Sequence, residues 1–159
     1  MNKLMLSLFS LAVVLLTSSF TEPPVEKKAA AEINWVTIEE AQELTKKEPR
    51  KIIMDVYTDW CGWCKKMDKT TFSDEKVADY VNKNFYAVKF NAEANKTFDF
   101  KGQEFTNSQF TKALRVSGYP TVVFFAEDFS KFQPVSGYRK ADEFLKMLET
   151  FHQAEPVGK

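Results

Sequence analysis

The stretch that decides the fold is "DVYTDWCGWCKKM", Asp55 to Met67. Two cysteines stand two residues apart, and each is preceded by a tryptophan. Upstream, "KIIMDVYT" (Lys51 to Thr58) is short, apolar and rich in strand formers, as expected of a strand buried on both faces. Downstream, "CKKMDKTTF" has helical character. One charge, Asp55, lies inside the apolar run, where a carboxylate is costly unless it is paired or serves a purpose.

Cys61 and Cys64 are the only cysteines in the chain, and three chemistries compete for them. A structural zinc site needs four ligands, usually Cys and His, and the one histidine, His152, is far away in sequence. His152 reads as an ordinary residue near a helix C-terminus, where a cation is mildly favoured. A structural disulfide stabilises most by closing a long loop in the unfolded chain, and two intervening residues restrain little. A redox dithiol fits the spacing. With Cys61 just ahead of a helix, the N–H groups and the helix dipole favour its thiolate and lower its pKa. Cys64, one turn along, can then reach back to resolve a mixed disulfide. The spacing points to a working dithiol, with the zinc site and the staple as weaker alternatives.

The rest of the 159-residue chain sets the context. "MNKLMLSLFSLAVVLLTSSF" has a positive start at Lys3, an apolar run from Leu4 to Leu16 and then small polar residues. That is the layout of a signal peptide over 1–19, cleaved after Ser19, with "AAA" at Ala29 to Ala31 as a second site. An uncleaved membrane anchor is the alternative. Residues 20–32 read as a flexible leader, 33–153 as the folded domain and 154–159 as a tail. The 22 basic and 22 acidic residues balance and no basic run stands out, which argues against nucleic acid or an anionic membrane as partner. The 15 phenylalanines suggest a sheet packed against helices.

"TIEEAQELTKK" starts with a Thr37/Glu40 capping box, and Pro49 ends the helix. Ser73 is expected to cap a helix over "DEKVADYVNKN", with Val77, Tyr80 and Val81 inward. "FYAVKFN", Phe85 to Asn91, is a second strand with Lys89 in it, and "NSQFTKALR" a short helix capped by Asn107. "PTVVFFA" and "FQPVSGY" form a hairpin about Glu127 to Ser130, and "ADEFLKMLETFH" closes the domain as a helix. The order implies an α/β fold with a mixed sheet.

Taken together, these residues resemble the thioredoxin superfamily. "DVYTDWCGWCK" is similar to its active-site segment, "SGYPT" (Ser117 to Thr121) to the loop whose proline is cis, and "VKFN" to the strand with a buried lysine. The resemblance covers about Lys51 to Met147, and "WCGWCKKMDKTTFSD" is most similar to the secreted or periplasmic branch, which includes the C-terminal domain of the membrane thiol–disulfide interchange protein. It implies a thioredoxin-like fold, a central mixed β-sheet flanked by helices. It further implies that Cys61 attacks, Cys64 resolves, and Asp55 accepts a proton from the resolving cysteine through water. Lys89 would tune that acid, and Pro120 would be the cis-proline opposite the disulfide. Trp60, Gly62, Trp63, Gly118, Tyr119 and Thr121 would line the polypeptide-binding surface, with Trp60, Trp63 and Tyr119 as one apolar rim. The plainer alternatives are a core Asp55 paired with Lys89, a Lys89 reaching solvent at a strand edge, and a Trp60 partly in the core.

Two features depart from the family. Gly62-Trp63 stands where thioredoxin has Gly-Pro and the oxidising enzymes often have Pro-His, so no histidine cation supports the thiolate, which leans towards reduction. "EANKTFDFKGQEFTNSQ", Glu93 to Gln109, is longer than the thioredoxin connection, as a partner-specific loop or a mere elaboration. The expected protein is an exported thiol–disulfide oxidoreductase, periplasmic or secreted and monomeric, that reduces or reshuffles disulfides in other exported proteins. It would need no metal or cofactor, because the dithiol is the redox centre. It would draw electrons from an upstream donor such as a membrane thiol–disulfide transporter. The rivals are a disulfide oxidase or isomerase, a redox-inactive polypeptide-binding module, and a metal carrier that borrows ligands from a partner.

Overall fold

A computed structural model describes residues 32–154. The segments read as a signal peptide and tail, and nearly all of that read as a leader, lie outside the described residues, and so does the choice between a cleaved peptide and an anchor. Among the described residues no helix is long and apolar enough to cross a membrane.

The first strand, β1 (Trp35–Val36), leads into helix α1 (Ile38–Lys47), which opens with the expected capping box between Thr37 and Glu40. Strand β2 (Lys51–Tyr57) follows, then α2 (Gly62–Met67), which runs on as a π-helical turn, Asp68–Phe72. Next come α3 (Glu75–Asn84) and β3 (Phe85–Asn91), then the hairpin β4 (Thr97–Phe100) and β5 (Gln103–Thr106). Helix α4 (Asn107–Ala113), strands β6 (Thr121–Phe125) and β7 (Phe132–Ser136), and α5 (Ala141–Gln153) complete the domain.

Five strands make one sheet in the order β1-β3-β2-β6-β7. β1, β3 and β2 run parallel, while β6 and β7 run antiparallel, so the sheet is mixed as expected. β2 lies at its centre and is buried along Lys51 to Val56. Its alternating side chains feed two cores. Ile52, Met54 and Val56 pack with Val88, Phe90, Val123 and Phe125 against α1 and α4. Ile53 packs with Phe85, Ala87, Val122 and Phe124 against α2, the π-turn, α3 and α5, through Met67, Phe72, Val81 and Phe144.

The long 93–109 connection is not a loop. Its β4–β5 hairpin turns through Lys101 and Gly102, both at positive φ (56° and 81°), the two-residue turn whose twist suits a hairpin. The Asp99 carboxylate accepts from Gly102 N–H at 3.0 Å. Phe98, Phe100 and Phe105 then stack into a ring cluster with Phe110 and Phe129; Phe100 and Phe110 have centroids 4.7 Å apart. Much of the high phenylalanine content sits there, beside the sheet.

Two helix starts differ from the sequence reading. Asp74, not Ser73, caps α3, accepting from Lys76 and Val77 N–H groups, while Ser73 donates to the Lys69 carbonyl. Thr106, not Asn107, caps α4 in a capping box with Gln109. Asn107 is buried instead and donates to the Asn91 carbonyl at 2.8 Å. In both cases a neighbouring oxygen of the right type stood one residue away. Tyr80 is only half-buried, and α4 stops before Leu114.

Lys51, at the start of β2, is buried, and its ammonium donates to three carbonyls that end α5: Phe151 (2.8 Å), His152 (3.1 Å) and Ala154 (2.6 Å). A cation there satisfies carbonyls that the helix leaves open and meets the negative end of its dipole. Lys51→Met should therefore lower the urea midpoint at unchanged m-value, by about 1–3 kcal/mol. An unchanged midpoint would show that water replaces the lysine at no cost.

Candidate active site

β2 delivers the chain to a short turn in which Cys61 N–H donates to the Thr58 carbonyl at 3.2 Å. Cys61 is the N-cap of α2, and its sulfur accepts from the Cys64 N–H at 3.1 Å. The two sulfurs are joined as a disulfide. Both cysteines are nearly buried, at 4% and 3% exposure, so approach is confined to what surrounds them. Among the described residues no cluster of His, Cys, Asp and Glu could hold a metal ion.

Gly62 opens α2 with nothing within 4 Å of where a Cβ would stand, leaving the surface clear between the tryptophans. Those two are the most exposed large apolar side chains described, Trp60 at 67% and Trp63 at 54%. Trp60 is therefore not a core residue. Its ring meets Tyr119 edge to face at 5.9 Å, which brings the 117–121 loop alongside the segment before Cys61. In that loop the Tyr119–Pro120 bond is cis, as the resemblance implied. Thr121 fixes the loop through its hydroxyl, which lies 2.7 Å from the Gly118 carbonyl and 2.8 Å from the Ser136 hydroxyl.

The two tryptophans rest on different partners: Trp63 packs on Tyr138 at 5.5 Å, with the Lys66 ammonium 4.6 Å from the Trp63 ring centre and 5.1 Å from that of Tyr138. On the Trp60 side the indole N–H donates to the Glu93 carboxylate at 2.9 Å. Burial, and next the Glu93 charge, push the Tyr119 hydroxyl above the usual tyrosine pKa. Glu93, Lys66 and Tyr138 were not singled out in the sequence. The Trp60–Glu93, Trp63–Tyr138 and Lys66–Tyr138 contacts join segments distant in sequence; only Lys66 over Trp63 is a local pair, three residues apart on α2.

Beneath the helix lies a charged group on the α2 face of the sheet. Asp55 and Lys89 are directly opposed in the parallel β2–β3 register. Lys89 Nζ lies 2.7 Å from Asp55 Oδ2 and also donates to Asp68, the first residue of the π-turn. It is surrounded by the Trp35, Tyr57 and Phe72 rings at 4.8–5.1 Å. The pairing expected of a core Asp55 is thus present, and Lys89 is three-quarters covered rather than free at an edge. The ion pair does not offset the cost of burying the carboxylate, and among the described residues neither Asp55 oxygen has a hydrogen-bond partner beyond the Lys89 contact. Burial pushes Asp55 from 3.8 up to about 6 against the pull of Lys89. Burial also disfavours the Lys89 charge, but Asp55 and Asp68 outweigh it and hold the ammonium above its ordinary pKa.

A mixed five-stranded sheet between helices, with a Cys-x-x-Cys disulfide at the start of a helix and a cis-proline loop beside it, defines a thioredoxin-fold chain of the thiol–disulfide oxidoreductase type. The model of the thioredoxin-like domain family matches residues 38–152, and the chain belongs to that family. It is 29% identical over 142 residues to the thiol:disulfide interchange protein DsbD of Haemophilus influenzae (strain PittEE), covering 86% of this chain but 23% of that protein. With DsbD of Haemophilus ducreyi it shares 30% over 134 residues, 83% of this chain and 22% of the relative. The chain thus spans less than a quarter of the length of these curated relatives. Among solved structures, a putative disulphide-isomerase from Bacteroides thetaiotaomicron superposes with a TM-score of 0.60 at 28% identity, covering 80% and 98% of the two chains. The DsbH oxidoreductase has a TM-score of 0.64 at 18% identity, covering 91% and 96%, a likeness of fold.

The raised acid has a consequence for stability. Below about pH 3.8 Asp55 is protonated folded or unfolded and costs nothing. Between about pH 3.8 and 6 the unfolded carboxyl ionises while the folded one keeps its proton, so stability falls across that window and levels off above it. Asp55→Asn should therefore stabilise the oxidised protein at pH 7.5 by on the order of 1–3 kcal/mol, with the gain fading towards pH 4. Denaturant unfolding at both pH values checks this, and a gain of equal size at pH 4 would refute it.

Proposed function

We propose that this protein is an exported thiol–disulfide oxidoreductase that reduces or reshuffles disulfides in other exported proteins through Cys61 and Cys64. The observation that carries the reading is the near-buried pair set between two exposed tryptophans, with Cys61 accepting a helix N–H. An N–H aimed at the sulfur favours the anionic form that attacks. The Cys61 thiolate attacks one sulfur of a substrate disulfide; that bond breaks, and the departing thiolate takes up a proton. The Cys64 thiolate then attacks Cys61 Sγ, releasing the second substrate thiol. The substrate gains two electrons, and the pair closes to the disulfide seen here.

Cys64 must lose its proton for the second step. Asp55, raised to about 6 by burial, acts as the acceptor through water. Lys89 keeps the acid from titrating higher still, and Asp68 holds Lys89 in place. The cis Tyr119–Pro120 loop, with Gly118 and Thr121, positions a substrate strand beside the sulfurs, and Trp60, Gly62 and Trp63 form the surface around them. Turnover as a reductase requires a donor dithiol upstream, and a membrane thiol–disulfide transporter fits the likeness to DsbD. The protein would work as a monomer in the periplasm or outside the cell. The likeness to a putative disulphide-isomerase from Bacteroides thetaiotaomicron supports reshuffling as part of the same activity.

The reduction potential tests the direction. Equilibration in glutathione or dithiothreitol buffers, followed by tryptophan fluorescence, should give roughly −230 mV or lower. A value of about −180 to −120 mV would make it an isomerase or oxidase. Cys61→Ser should abolish the reduction of a disulfide substrate. A chain with no reversible redox couple, whose polypeptide binding survives Cys61→Ser, would be a binding module in place of the enzyme.

A further inference from the structure

The two tryptophans stand in matching places, each one residue ahead of a cysteine, yet their surroundings carry opposite charge. On the Trp60 shoulder the 91–93 segment is pinned by a chain of hydrogen bonds. Asn91 donates to the Asp59 carboxylate at 3.1 Å, Glu93 N–H donates to Asn91 Oδ1 at 3.0 Å, and Trp60 donates to Glu93 at 2.9 Å. Two exposed carboxylates are thereby fixed beside an exposed indole. On the Trp63 shoulder Tyr138 is held by Thr70, whose hydroxyl lies 3.0 Å from the phenol oxygen, and the Arg139 carbonyl accepts from Thr71 at 2.6 Å. Lys66 lies over both rings there, and Arg139 donates to the Tyr138 carbonyl at 3.0 Å. Both shoulders stand beside the two sulfurs, since each tryptophan is the residue before a cysteine.

Building on the oxidoreductase reading, we infer that the split rim selects the direction of the incoming polypeptide: a cysteine flanked by basic residues towards Trp60 and acidic residues towards Trp63. Glu93 and Lys66 are the specificity-determining residues. The aromatic rings supply contact area that any peptide can use. The opposed charges penalise the same sequence entering backwards, because like charges then meet on both shoulders. The partner is an unfolded or extended segment of mixed charge around its cysteine, and its two possible orders are distinguished by this surface and not by the sulfurs.

The test uses two disulfide-linked peptide dimers of one composition, Lys-Lys-Gly-Cys-Gly-Glu-Glu and its charge-reversed order Glu-Glu-Gly-Cys-Gly-Lys-Lys. The reduced full chain is mixed with each, and its oxidation is followed by tryptophan fluorescence. One order should react at least about 3-fold faster at low salt, and the difference should shrink in 0.5 M salt as exposed charges are screened (roughly a 4 Å screening length). The double variant Glu93→Lys with Lys66→Glu should prefer the other order, with circular dichroism confirming an unchanged fold. Equal rates for the two orders, or a preference that the double variant keeps, would overturn the inference. If the wild-type chain oxidised with neither peptide nor with uncharged hydroxyethyl disulfide, the oxidoreductase reading itself would fall.

Discussion

A strand covered on both faces can carry a charge only if the fold around it is arranged to receive one, and β2 carries Asp55. The constraint spreads outward from there. The parallel register with β3 sets Lys89 directly opposite, the π-turn after α2 lowers Asp68 onto the same ammonium, and three rings from separate elements close around it. β1 supplies one of those rings, Trp35, so even the two-residue edge strand has a part in covering the charge. The compensation is incomplete on one side only. Lys89 is doubly paired, to Asp55 and Asp68, yet the Asp55 carboxyl still sits well above the usual carboxylate range. A cation partner ordinarily lowers an acid's pKa; here burial outweighs the pairing.

The surface above shows a comparable division. The sulfurs are sunk, and the groups that stand proud are two indoles, each fastened to a different neighbour. What would be one greasy collar in a flat reading of the motif is two platforms, set on either side of a glycine without a side chain and tied to two neighbouring loops at the same end of the sheet, the one before β6 and the one after β7. Chemistry and recognition are thus carried by different residues: the pair and its buried acid below, the indoles and their charged companions above.

Much of this was legible in the sequence. The apolar run with a charge inside it, the cysteine spacing and "SGYPT" located β2, the dithiol helix and the cis-proline loop. The Thr37/Glu40 box and the period of α5 placed two helices. Signals that failed were those that depend on distance in space or on a choice between adjacent equivalents. Ser73 and Asp74 can both cap, and the carboxylate won by reaching two N–H groups. The β4–β5 hairpin was missed because Lys101 occupies a left-handed turn position more often given to Asn or Asp. Two-residue β1 is too short to show alternation. Asp68, Glu93, Lys66 and Tyr138 carry no local mark of importance; each acquires its role from a partner at least three residues away and, for all but Lys66, from another element of the fold.

The clasp between Lys51 and the end of α5 joins positions separated by 100 residues. Contacts so distant along the chain are slow to form and cannot form until the later partner exists. The strand that presents the cysteines is therefore anchored at its start by nearly the last piece of the domain to be synthesised. During synthesis β2 waits for α5, and Cys61 and Cys64 emerge before the clasp that anchors their strand can close.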